Sequence, residues 1–205
     1  MRMHSALLCF ALSTGAASAA LAESAPSSTP APALTEWTLD ASHSRIGFSV
    51  PHLVISEVEG DIKRWKGKVL LDEKNVQNSQ VEFSAEAASI DTDNADRDKH
   101  LRGADFFDAE KYPEITFKST KITKAGKGYK LQGNLTLRGV TRPVTLDAVL
   151  SDAVTSPWGK QVRSAKITGQ IKRQDYGINW SKTMDKGGAV VGDNVTFDIK
   201  LELNK

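Results

Sequence analysis

From Thr35 onward, apolar and polar residues alternate with a period of two over most of the chain. That spacing puts successive side chains on opposite faces of a β-strand. Ile46, Phe48 and Val50 share one face, as do Val81, Phe83, Ala85 and Ala87. Ile115, Phe117 and Ser119 follow, then Tyr129, Leu131, Gly133, Leu135 and Leu137. Val144, Leu146, Ala148 and Leu150 continue the pattern, then Ala165, Ile167, Gly169 and Ile171. The cleanest run is Val195, Phe197, Ile199, Leu201 and Leu203. A further strand over 58–71 is predicted with interruptions at Gly60 and Gly67.

The connections are short and rich in turn residues, at Asp72–Asn75, Lys124–Gly128, Arg138-Gly139 and Ser156–Gly159. Short links favour antiparallel hairpins over βαβ crossovers. Many strands with one apolar face each predict an all-β sandwich or a closed barrel. An extended eight-stranded antiparallel, lipocalin-like barrel is preferred because closure removes exposed edges. One segment breaks the alternation, "DRDKHLRGADFFDAEKYP" from Asp96 to Pro113. It predicts a short helical insertion around 93–102, with Asp91-Thr92 as N-cap and Gly103 as its end. Arg97 and Leu101 then share one helix face, and Asp98 is placed to pair with Arg102. Phe106 and Phe107 follow directly and need a dry site.

The first residues belong to a different kind of segment. Arg2, the apolar run Ala6–Leu12 and the small-residue site Ala20-Leu21-Ala22 predict a cleaved signal peptide over 1–22, and with it export to the periplasm or beyond. Residues 23–34 are rich in Pro, Ala and Ser and read as a linker. Residues 35–205 remain, a span of about 170 residues that suits one barrel domain. The only cysteine, Cys9, falls inside the predicted signal. The barrel domain therefore has no disulfide, thiol nucleophile or cysteine metal site. Without Arg2 the chain has 26 basic against 25 acidic residues, which gives no argument for a nucleic-acid partner.

Three histidines follow the signal: His43, His52 and His100. They form no H-x-H or H-x-x-x-H pair, and no metal site is expected. No nucleophile elbow, phosphate loop or dinucleotide fingerprint is present. His43-Ser44 and Arg97-Asp98-x-His100 are the candidates for an Asp–His–Ser arrangement. Adjacent strand residues point to opposite faces, and charges on a short helix read more simply as a solvated surface. No catalytic residue and no cofactor are expected, and a hydrolase is the weakest of the readings.

The inner face mixes large residues (Phe48, Phe83, Phe117, Leu135, Phe197) with small ones (Ala85, Gly133, Ala148, Gly169). Either the small residues fit the taper of a packed barrel, or they leave an elongated apolar cavity. The occupant of such a cavity is apolar, with His52, Arg97, Asp98 and the Trp180 indole as candidate polar contacts.

Four stretches resemble the YceI-like proteins: "WTLDASHSRIGFSVPHL" (37–53), "SIDTDNADRDKHLRGADFFDAEKYPEITFKS" (89–119), "LTLRGVTRPVTL" (135–146), and "IKRQDYGINW" with "VGDNVTFDIKLEL" (171–203). The resemblance implies a lipocalin-like barrel in the bacterial periplasm. It also implies a pocket for a long polyisoprenoid or similar amphiphilic lipid, with no catalysis. The leading reading is a periplasmic binding or carrier protein for a polyprenyl phosphate or an isoprenoid quinone, with exchange against membrane lipid left open. Phe48 and His52 match the first motif, Arg97, Asp98, His100, Leu101, Phe106 and Phe107 the second, and Tyr176, Gly177 and Ile178 the last. From alternation and motif together, the expected ligand contacts are Phe48, Val50, His52, Phe83, Arg97, Leu101, Phe106, Phe107, Phe117, Leu135, Ile178 and Trp180. The rival reading is a stress-related lipocalin that scavenges diverse hydrophobic compounds, antibiotics included. The oligomeric state stays open, a homodimer included. Two departures from the family pattern stand out. Asp61-Ile62 replaces an aromatic usual after the glycine, and Ala165-Lys166 replaces a Gly-Phe.

Overall fold

A computed structural model of the chain describes residues 33–182 and 189–205. The expected signal peptide and the linker up to residue 32 lie outside the described residues. Strand β1 (Leu34–His52) is 19 residues long and organises the sheet. One of its edges pairs with β11 (Asn194–Asn204), from Thr38↔Asn204 to Ser49↔Thr196. The other edge is divided. Its first part pairs with β3 (Trp65–Asp72) and its last part with β2 (Ser56–Ile62).

From β3 the sheet continues antiparallel through β4 (Gln80–Glu86), β6 (Glu114–Ala125), β7 (Gly128–Leu137), β8 (Val140–Leu150) and β10 (Gln161–Lys172) to β11. With the β11–β1 pairing, strands β1, β3, β4, β6, β7, β8, β10 and β11 close an eight-stranded antiparallel barrel. The two-residue strands β5 (Ile90–Asp91) and β9 (Val154–Thr155) pair with β2 and β10. The expected interruption of the 58–71 strand is present but displaced. Gly60 and Gly67 lie within β2 and β3, and the break falls at Lys63-Arg64.

Because β4 pairs with β3 and not with β2, the wall beside β2 holds only the short β5. Helix α1 (Ala95–Arg102) packs against β5 at this end. Its cap differs from the expected one: Asn94 is the N-cap, its side chain accepting the Arg97 N–H at 3.0 Å. Thr92 instead serves as an anchor. Its N–H and hydroxyl both donate to the Asp98 carboxylate, at 3.0 and 2.5 Å. Arg97 Nε donates to Thr92 Oγ1 at 2.8 Å, and Nη2 donates to the Thr92 carbonyl at 2.6 Å. Asp98 is buried and, contrary to the expectation from helix spacing, does not pair with Arg102. A buried carboxylate needs near neighbours that donate, and Thr92 supplies two. Gly103 ends the helix as predicted.

The inner face of the barrel forms one apolar core that includes Ile46, Ile62, Ala85, Phe117, Leu135 and Ile171. A second, smaller cluster of Trp37, Leu71 and Leu203 packs the opposite end, with the Arg163 guanidinium 5.4 Å from the Trp37 ring. Two of the small inward residues are seats for larger neighbours. A Cβ on Gly133 would lie 2.4 Å from the Phe117 ring and 2.5 Å from the Lys118 carbonyl oxygen. A Cβ on Gly169 would lie 2.4 Å from a Leu146 methyl. At these positions large and small residues interlock as in a packed barrel.

Gly133→Ala is therefore expected to destabilise the fold by about 1–3 kcal/mol, because a backbone oxygen and a packed ring must both move. Gly169→Ala should cost less, since the Leu146 methyl is the free end of a flexible side chain. Paired thermal melts of the two variants measure the difference.

Candidate functional site

Between the two ends, the barrel encloses a cavity of about 350 Å³. That volume lies within the range of small-molecule sites, roughly 300–1,000 Å³. The strands supply its wall through their alternating inward residues. From β1 come Phe48, Val50 and His52; β4 gives Phe83, β6 Phe117 and β7 Leu135. Arg97 and Leu101 reach it from α1, Phe106 and Phe107 from the loop that follows, and Ile178 and Trp180 from the segment after β10. All the expected contact residues thus lie on the cavity lining. Asp98, a candidate polar contact, is not on the lining, because its carboxylate is committed to Thr92.

Four polar members of the lining, His52, Arg97, His100 and Arg173, gather at one end, and Glu82 borders the cavity separately from β4. Pro51, Arg97 and His100 are exposed and yet line the cavity, so the cavity meets solvent beside them. An aromatic cluster roofs this end. The His100 ring stands edge-on to Phe106 at 5.0 Å and to Trp180 at 5.1 Å, and Phe106 and Trp180 lie 5.2 Å apart. Edge-to-face rings at this spacing attract through their quadrupoles. Phe106 is buried here, which answers the requirement for a dry site.

The roof depends on a residue that alternation and motif did not single out. Arg173 follows β10 and is 3% exposed. Its Nε donates to the Gly192 carbonyl at 2.9 Å, and Nη1 donates to the carbonyls of Ile178 and Trp180 at 2.8 and 2.7 Å. Nη2 reaches the Val191 carbonyl at 3.3 Å and the Asp193 carboxylate at 3.4 Å. Burial pulls the Arg173 pKa below the usual arginine value, and the Asp193 charge opposes the shift. One guanidinium therefore ties both flanks of the 178–193 segment to the end of β10. Val190 and Val191, which also line the cavity, are carried by that segment. Neither valine belongs to an alternating run, so no periodic signal marked them.

The two departures from the family pattern fall differently. Ile62 is buried on the cavity lining, while Asp61 faces outward and pairs with Arg45 Nε at 2.6 Å. Ala165 packs near the Trp37 cluster and does not line the cavity. Only the first departure changes the wall.

The candidate catalytic sets are not assembled. His43 Nδ1 contacts Asp40 Oδ2 at 3.0 Å, while Ser44 Oγ accepts the Glu202 N–H at 2.9 Å. The hydrogen bond to Asp40 raises the His43 pKa and lowers that of Asp40. Both residues stand where the β1–β11 register shifts between Asp40 and Arg45, and Asp40 Oδ1 accepts the Ser42 N–H at 2.8 Å across the bulge. The motif secures the bulge. His100 Nε2 contacts Asp105, not Asp98, at 3.0 Å. Asp40, His43 and Glu202 are also the one group among the described residues whose ligand atoms converge closely enough for a metal, within 4.8 Å. They lie outside the cavity lining.

A closed antiparallel barrel around a largely apolar cavity defines a lipocalin-like fold. The YceI-like domain family matches residues 37–203, and the chain belongs to that family. A UPF0312 protein of Serratia proteamaculans is 43% identical over 147 residues, covering 72% of this chain and 74% of its own. A YceI protein of Campylobacter jejuni aligns with a TM-score of 0.66 at 32% identity, over 83% of this chain and 98% of that one. A polyisoprenoid binding domain from Saccharophagus degradans shares the fold, with a TM-score of 0.56 at 16% identity over 82% of this chain and 97% of its own.

Arg173→Ala removes the donor of five hydrogen bonds and strands four carbonyls, one buried and three partly buried. The expected cost is about 3 kcal/mol or more, measured by denaturant unfolding. Hydrogen exchange should accelerate in 173–182 and 189–193 while β7 and β8 keep their protection. A variant as stable as the parent would remove Arg173 from its role as clamp.

Proposed function

We propose that the protein is an exported binding and carrier protein that holds a long isoprenoid chain in the barrel, with polyprenyl phosphates and isoprenoid quinones as the candidate ligand classes. The observation that carries this reading is the cavity itself. Its wall is built mostly from aliphatic and phenyl side chains, with His52, Arg97, His100 and Arg173 together at one end and Glu82 apart from them on β4. Such a site takes an apolar chain with a polar head. At about 0.8 kcal/mol per buried CH₂-sized group, each five-carbon unit contributes roughly 4 kcal/mol before ordering costs. A few units then bind tightly with no elaborate polar recognition.

The head faces the end where Arg97, His100 and His52 line the cavity. Arg97 is part of no ion pair there with a carboxylate of the described residues, although Thr92 holds two of its nitrogens. The polyisoprenoid binding described for the Saccharophagus domain supports the ligand class. The pattern of residues 1–22 supports export to the periplasm.

Native mass spectrometry of protein purified without detergent should show a lipid adduct. The delipidated protein should take up added polyprenol in preference to an unbranched alcohol of equal length. Equal uptake of both, together with unrelated hydrophobic compounds, would favour the scavenger reading. No adduct and no uptake of any chain would rule out both.

A further inference from the structure

The hairpin that joins β1 to β2 presents apolar side chains to solvent right beside the cavity. Val54 is 77% exposed and Ile55 is 86% exposed. The backbone is held in an unfavourable form to do so. Leu53 and Val54 have φ of +53° and +65°, in the left-handed region. Hairpin turns give such positions to Asn, Asp or Gly, and a β-branched residue there is a marked outlier. A turn under selection for stability alone would not place Leu and Val at these positions.

The base of the hairpin belongs to the cavity wall. Pro51 and His52 line the cavity just before the turn, and Val58 lines it just after. Across the opening, the Leu53 N–H donates to the Val190 carbonyl at 3.0 Å, and the Gly192 N–H donates to the Pro51 carbonyl at 2.8 Å. Val190 and Val191 themselves line the cavity. The exposed tip is thus continuous, through a few residues, with both sides of the cavity opening.

We infer that this tip, Leu53-Val54-Ile55, is the part of the protein that enters the apolar layer of a lipid bilayer, and that the cavity exchanges its ligand there. The inference rests on the proposed function, in which the cargo is apolar and its reservoir is a membrane. Two exposed side chains with the half-buried Leu53 beside them are too few for a stable protein interface, which buries about 1,200 Å² or more. They are enough for shallow insertion, because each apolar side chain that leaves water contributes on its own. The neighbouring β2 residues Glu57 and Glu59 are exposed carboxylates and set the depth at which the hairpin stops. Trp158, another strongly exposed apolar residue, lies in the turn between β9 and β10, off the cavity lining, and provides a control.

The test uses vesicles of phosphatidylcholine, bare or carrying a fluorescent polyprenol. Two variants carry it: Leu53→Asn with Val54→Gly, and Val54→Asp with Ile55→Asp. The first suits the turn, so its melting temperature should rise and misfolding is removed as an explanation. Both variants should bind the polyprenol presented in solution as the parent does. Both should lose sedimentation with bare vesicles and extract the probe about tenfold more slowly or worse. Trp158→Ser should behave as the parent.

Extraction at the parental rate by both variants would overturn the inference. So would an equal loss of binding in solution, which would make the tip part of the pocket. A parental dimer that the tip variants convert to monomer would assign the tip to a second copy instead. A parent that sediments with bare vesicles yet binds no polyprenol would refute the proposed function and leave the membrane contact standing.

Discussion

Closure of the sheet through the β1–β11 pairing dictates how both ends of the barrel are finished. It requires β1 to run the full height of the barrel, and a 19-residue strand leaves an opposite edge long enough for two partners in succession. The wall is therefore complete where β3 and β4 continue the sheet. It is short of strands where β2 meets only β5. The first end can be packed shut by side chains, as Trp37, Leu71 and Leu203 do. The second end must be finished by segments that are not strands. That asymmetry gives the barrel a sealed end and an end that opens.

At the finished end, polar interactions determine what the apolar ones cannot. Hydrophobic burial is non-directional and holds no segment in one position. Thr92, Asp98 and Arg97 fix the start of α1, and Arg173 fixes the segment that brings Ile178, Trp180, Val190 and Val191 to the lining. The aromatic cluster of His100, Phe106 and Trp180 then spans the two. The roof is built from two separately anchored pieces joined by ring contacts. Such contacts are individually weak and can part without breaking either anchor.

Much of this arrangement was legible in the sequence, and the reason is the range of the signal. Period-two alternation is local, so it identified Ile46, Phe48, Val81, Phe83, Leu135 and Phe197 as inward-facing without knowledge of their neighbours. The charged stretch before Phe106-Phe107 marked the helix, and the family motifs marked the residues at its end of the cavity. What was not legible depends on pairs far apart in the chain. Asp91, Thr92 and Asn94 are all capable caps, and only the path into β5 selects Asn94. Whether Gly133 and Gly169 leave space or seat a neighbour is decided by the rotamers of Phe117 and Leu146 on adjacent strands. Arg173 carries no local mark, because four of its five acceptors are backbone carbonyls, and every residue has one.

On the proposed function, the space within the barrel is a ligand site and not a gap that side chains can close. A crystal structure of the protein purified without delipidation decides between the two. Continuous elongated density is expected, running from the neighbourhood of Leu131 past Phe83 and Phe117 to the opening beside Pro51. An interior closed by the side chains of Phe83, Phe117 and Leu135 packed against one another, with no density between them, would contradict it.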